Sequence, residues 1–344
     1  MECSYLNTSP DIIVKMNYHT FSLSELVTEC LSRNLWISSL TSVNMNPYNL
    51  RLILNNHDLI QKPKGSWKTP LRYPGGKSKA LLKLAKQFPD MDAISEIVDP
   101  FLGGGSLMIY LTKTYPDKPI VVSDIFMELV NFWKILQKDG LRLYVTLRNL
   151  KDSYPDPETA RTLFDNQKSF LHSKESRDEF SQAVAFYVVN KCSFSGLISS
   201  SFSKQASVSN FSVNCIDSLP YYSRLIRSWT IQHADYRKTV LDTQRTYASF
   251  VYLDPPYAIS SNLYGKKGEL HEVFVHAEFL ETCATMKERA IKHMVSYNAS
   301  ILEQYKGSFI GYAISDYDLT YTMRSTGTYM NDQKQRKELV IKNY

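Results

Sequence analysis

The sequence predicts an α/β fold, a largely parallel sheet with helices on both faces and a smaller segment inserted between its halves. Three observations predict it. The apolar run Ser249–Leu253 reads as a buried strand and stops at Asp254-Pro255-Pro256-Tyr257, because proline has no N–H for a sheet ladder. Residues 93–113 read as a strand, a tight glycine turn and a helix. A second strand, Pro119–Ser123, ends in Asp124, nineteen residues after Gly105. That is the offset at which nucleotide-binding α/β sheets set an acid against ribose hydroxyls.

Composition bounds the rest. A chain of 344 residues with 43% hydrophobic and 12% aromatic content accommodates one large α/β domain and a smaller one. No run approaches a membrane span, and the first 30 residues lack a signal pattern. The five cysteines are scattered without a Cys-x-x-Cys pair, and the histidines show no metal spacing. They are read as reduced thiols of a soluble intracellular protein (cytoplasm, nucleoid or nucleus) that uses no metal. Net charge is +6, and Lys62 to Lys86 holds eight bases without an acid. Such a block is either a solvated face or a surface for an anionic polymer.

In chain order, residues 1–66 form a helical extension. SLSELVTECLSRN, from Ser22, carries a helical apolar stripe, and YNLRLILNNH is a second helix with Pro47 in its first turn. The pair is either a helix-turn-helix or an extension that packs against other parts of the chain. LRYPGGKSK (71–79) ends like a P-loop, but Leu71 stands where the first P-loop glycine belongs. Its glycine pair instead implies close backbone approach to a ligand, with Lys77 supplying charge. DPFLGGG (99–105) lacks the third glycine of the dinucleotide fingerprint, since Met108 holds that position. Residues 140–248 show little βα alternation and are assigned to a smaller domain. The catalytic domain is 67–139 plus 249–344. The serine- and phenylalanine-rich run 193–214 suits groove or base contacts, or an ordinary surface loop. KHMVSYNAS and ELVIKNY read as further strands.

Asp254-Pro255-Pro256-Tyr257 has a defined chemical use. An exocyclic amino nitrogen on an aromatic ring is a poor nucleophile, because its lone pair is delocalised. A rigid carboxylate and the Pro255 carbonyl can each accept one N–H and aim the lone pair at an incoming methyl group. The ring of Tyr257 can stack on the base. The alternative is an ordinary turn in which Asp254 caps a helix.

Taken together, RYPGGK (72–77), DPFLGGG (99–105), VVSD (121–124), NKCSFSGL (190–197) and LDPPY (253–257) resemble the D12-class, Dam-like DNA adenine N6-methyltransferases, whose motif order is called α. FVHAEFL (274–280), SYN (296–298) and the closing ELVIKNY extend the likeness, which covers roughly residues 68–344. The resemblance implies a Rossmann-like S-adenosylmethionine-dependent methyltransferase sheet, with residues 140–248 as an inserted target-recognition domain. It implies a cofactor site of Tyr73, Gly76, Lys77, Asp99, Pro100, Phe101, Gly103, Gly105, Asp124, Ile125 and Asp254. Asp254, Pro255, Pro256 and Tyr257 would be catalytic. Asn190, Lys191, Phe194, Ser195 and Ser199 would face double-stranded DNA. Ser199 stands where GATC-specific members carry an arginine. Serine cannot make the bidentate guanine contact, so a different short target is expected. A cognate restriction endonuclease is an expected companion. An RNA adenine methyltransferase and a non-catalytic sequence-specific DNA-binding protein are the competing readings.

Overall fold

The structure, a computed structural model, describes residues 18–33, 46–58, 68–73, 75–173, 178–256, 274–298, 306–319 and 336–344. The chain divides into two compact units, 1–62 and 63–344. The first contains the two expected helices, Leu23–Ser32 and Pro47–Asp58. Ser22 and Glu25 start the first helix with reciprocal bonds: the Ser22 N–H donates to the Glu25 carboxylate at 2.7 Å, and the Glu25 N–H donates to Ser22 Oγ at 3.3 Å. Asn46 caps the second by accepting from the Asn49 N–H at 2.8 Å, with Pro47 at the first helical position. Leu26 and Cys30 from the first helix, and Leu50, Ile53 and Leu54 from the second, are buried.

The second unit is built on a seven-stranded sheet. Its strands are β1 (Glu96–Asp99), β2 (Ile120–Asp124), β3 (Thr230–His233), β4 (Ser249–Leu253), β5 (Lys292–Asn298), β6 (Ala313–Leu319) and β7 (Arg336–Lys342). The order is β3-β2-β1-β4-β5-β7-β6. Strands β1 to β5 run parallel, β7 is antiparallel to β5, and β6 is antiparallel to β7. Strands β2 and β4 are buried along their whole length, as their continuous apolar runs require of a sheet covered on both faces. Val98, Val251, Leu253 and Val295 meet Phe279 and Met286 of helix His276–Glu288 in one core cluster.

The order of strands reverses between β1 and β4. Connections leaving those two strands go to opposite faces, and a crevice opens at their carboxyl ends where ligands bind in such sheets. The expected insert at 140–248 begins inside helix Met127–Ser153, which is kinked at Asp139. It continues through helices Pro157–His172 and Glu179–Cys192 and then supplies β3 to the sheet. All of it belongs to the same compact unit as the sheet. β3 is an exposed edge strand without an apolar run, which is why sequence periodicity assigned no strand there. Among the described residues, no helix is long and apolar enough to cross a membrane.

Candidate active site

Three aspartates end three parallel strands. Asp99 closes β1, Asp124 closes β2, and Asp254 follows Leu253, the last residue of β4. A single cleft at this edge is lined by Tyr73, Pro100, Phe101, Asp124, Ile125, Asp254 and Pro256 from among the expected residues. Its empty volume, open mouth included, is about 750 Å³.

Asp254 is held by Lys77, whose Nζ donates to its Oδ1 at 2.7 Å and to the Gly75 carbonyl at 3.2 Å. The lysine side chain is 2% exposed and the carboxylate 22% exposed. Burial pushes the Asp254 carboxyl up from the ordinary value, and the Lys77 ammonium draws it back down. The ammonium offsets part of the rise that burial causes. Lys77 is thus a partner of Asp254 behind the cleft wall.

Asp124 anchors the opposite part of the cleft. Its Oδ2 accepts from the Gly103 N–H at 3.0 Å and its Oδ1 from the Phe126 N–H at 2.9 Å. Burial nevertheless lifts its pKa to about 6. Gly103 has φ +47°, and a Cβ there would lie 2.9 Å from the Tyr73 ring, so the turn needs glycine. Gly105, at φ +67°, caps helix Ser106–Thr114. Asp99 is buried and its Oδ1 accepts from the Phe101 N–H at 3.0 Å. Burial, reinforced by the Asp254 and Asp124 carboxylates, drives its carboxyl well up. Asp99 shapes the turn under the cleft and does not line it; Gly76 is exposed and does not line it either. Tyr257 lies outside the described residues.

The cleft also includes residues that sequence reasoning did not assign to it: Asp235, Tyr236, Arg237, Phe274, Val275 and Glu278. Phe101 stacks on Tyr236 with ring centroids 5.3 Å apart, and Phe274 and Phe279 meet its edge at 6.0 and 6.2 Å. Arg237 bridges Asp235, at 2.8 Å, and Glu278, tying the end of β3 to helix His276–Glu288. An acid-aromatic pair just after an exposed edge strand was the available signal. The strand itself was invisible to periodicity.

The family model described as D12 class N6 adenine-specific DNA methyltransferase matches residues 73–327. The chain belongs to this family. Among similar proteins, the type II methyltransferase M.MjaIII of Methanocaldococcus jannaschii is 27% identical over 198 residues, covering 54% of this chain and 68% of that one. M.CviBI of Paramecium bursaria Chlorella virus NC1A is 23% identical over 282 residues, covering 80% and 98%. M1.LlaDCHI of Lactococcus lactis subsp. cremoris is 24% identical over 301 residues, covering 83% and 99%. The protein is accordingly an adenine-specific DNA methyltransferase, with S-adenosylmethionine as methyl donor. The cleft fits that donor. It offers a carboxylate for a diol at Asp124, and Ile125, 46% exposed, for an apolar ring face.

In the methyltransferase, the stretch expected to contact DNA splits into inward and outward residues. Asn190 is 1% exposed. Its amide donates to the carbonyls of Arg72 at 2.6 Å and Gly196 at 2.8 Å, and its oxygen accepts from the Arg72 N–H at 2.9 Å. Lys191 is 4% exposed, with its ammonium 5.3 Å from the centre of the Tyr187 ring, and burial lowers its pKa to about 8. Asn190 thus fixes the turn from beneath, and Lys191 is buried beside it. Phe194 is 49% exposed, and Ser195 and Ser199 are half-buried. Ser195 has φ +56° and Gly196 φ +77°. A Cβ at Gly196 would lie 2.7 Å from the Arg72 carbonyl. The turn therefore sits directly on the segment that leads to Lys77.

Proposed function

We propose that the protein transfers a methyl group from S-adenosylmethionine to N6 of an adenine flipped out of a short duplex target, by direct transfer at Asp254-Pro255-Pro256-Tyr257. The observation that carries this reading is the placement of Asp254. It is fixed by a buried lysine at 2.7 Å, and it opens onto the same cleft as Asp124.

S-adenosylmethionine supplies a methyl group on a positively charged sulfur, with a neutral thioether as leaving group. The chain's own residues position the nucleophile. Pro255 and Pro256 carry no N–H, so those two positions offer the adenine acceptors only. The Asp254 carboxylate and the Pro255 carbonyl each accept one N6–H bond. Charge is drawn onto nitrogen and its lone pair points along the line of attack. As the N–C bond forms, N6 becomes cationic, and the proton it loses passes toward Asp254. On the cofactor side, Asp124 holds hydroxyls and Ile125 packs on the purine, while Phe101 walls the cleft.

Target recognition is assigned to the 193–199 turn, with Phe194 as its outward aromatic and Ser199 favouring a short site other than GATC. The Type II designation of the relatives motivates a cognate restriction endonuclease as companion, and the reaction is placed inside the cell. Single-turnover transfer of labelled methyl to duplex DNA tests the proposal. The wild-type protein transfers and Asp254→Ala does not, with its fold retained. Transfer by Asp254→Ala at the wild-type rate would end the mechanism.

A further inference from the structure

The proposed catalytic loop is anchored by two side chains on other elements. The Tyr297 hydroxyl donates to the Pro256 carbonyl at 3.3 Å. His276 Nε2 is hydrogen-bonded to the same hydroxyl. Tyr297 is fully buried near the carboxyl end of β5. His276 opens helix His276–Glu288, immediately after Phe274 and Val275 of the cleft wall, and its ring lies edge-on to Phe274 at 5.0 Å. Three elements therefore meet at one hydroxyl: the catalytic loop, β5 and the wall of the cofactor cleft.

A phenol has one proton to donate. When that proton is on the Pro256 carbonyl, the bond to His276 requires Nε2–H to donate to the phenol oxygen. An unprotonated Nε2 would instead accept, and would compete with Pro256 for the proton. The tautomer of His276 thus decides whether the loop carbonyl is held. Proline fixes φ at both 255 and 256. Only ψ of each proline is left to rotate, and the Tyr297 bond to the Pro256 carbonyl restrains the second of these and pins the loop at its far end.

We propose that Tyr297, oriented by His276, is a positioning residue for methyl transfer. By holding the Pro256 carbonyl it fixes the Asp254 and Pro255 acceptors at the geometry the adenine amino group needs. The inference rests on the methyltransferase reading above.

The test uses the full chain with labelled S-adenosylmethionine and unmethylated genomic DNA. Tyr297→Phe removes the hydroxyl and keeps the ring. It lowers kcat about tenfold while KM for DNA, the cofactor Kd by calorimetry and the melting temperature stay near wild type. His276→Ala loses a similar factor. His276→Gln, whose amide can still donate to the phenol oxygen, recovers most of it. Wild-type turnover by Tyr297→Phe overturns the inference. So does a loss of turnover matched by lost cofactor binding and melting temperature, or a His276→Gln variant no better than His276→Ala. Absence of transfer by the wild-type protein overturns the methyltransferase reading itself, and the inference with it.

Discussion

The carboxyl edge of the sheet and the turn at 193–199 are built on opposite plans. At the sheet edge, chemistry-bearing residues follow directly from strand ends, so Asp124 and Asp254 reach one cleft by backbone geometry alone. At the turn, side-chain burial decides. Asn190 turns inward to support the backbone and Lys191 is buried beside it, while Phe194 turns outward. A motif at a strand end thus brings its residues to one edge, whereas a motif on a helix end divides between buried support and an exposed face. Within the second, only exposure separates the two.

The largest effect is expected at the sheet edge. Asp254→Ala removes the acceptor held by Lys77. It should reduce methyl transfer by at least about 10²–10³-fold, the loss typical of deleting one preorganised electrostatic group, with folding intact by circular dichroism. On the other side, Asn190→Ala strips partners from three backbone groups at Arg72 and Gly196. A cost of about 3 kcal/mol is expected, read as a lower urea midpoint with an unchanged slope. If Asn190 were a DNA contact, the same substitution would weaken DNA binding and leave the midpoint in place.

Asp124 gives a smaller effect with a pH signature. Asp124→Asn should weaken cofactor binding by roughly 1.5–3 kcal/mol, the range for a hydrogen bond to a charged group. Burial raises this carboxyl to about 6, so it takes up a proton as pH falls through that value. The neutral acid holds hydroxyls less strongly. Wild-type affinity should therefore fall between pH 7 and pH 5, while the Asn variant stays flat. Calorimetry at the two pH values checks both. The smallest effect is expected at Phe194, which is half-exposed. Phe194→Ala should move stability by no more than about 0.5 kcal/mol and weaken DNA binding by about 1–3 kcal/mol, the value of one aromatic stack. A drop in the unfolding midpoint without a change in DNA binding would make it scaffold, like Asn190.

The difference also explains what was legible beforehand. Buried parallel strands announce themselves as apolar runs, and prolines or glycines mark their ends, so β1, β2, β4 and the acids at their ends were readable from the sequence. β5 and β7 were readable in the same way. β3 was not: TIQH sits at an exposed edge and carries no apolar run. With it went Asp235, Tyr236 and Arg237, although they line the cleft. Glu278 was missed for another reason, since its place in the cleft comes from the packing of helix His276–Glu288 and not from local pattern. Asn190 is expected at DNA only from the resemblance of NKCSFSGL, and the structure places its amide on backbone groups. Its three bonds to backbone more than 100 residues away in one case, and six away in the other, have no sequence signature.

N6 methylation of adenine at a short duplex target is open to direct measurement. The most direct test incubates the wild-type protein with labelled S-adenosylmethionine and unmethylated genomic DNA, with RNA as a parallel acceptor, and maps the modified bases by sequencing. N6-methyladenine confined to one short DNA motif is the predicted result. Label on RNA alone, on another base, or on neither polymer while the cofactor is bound would contradict the account.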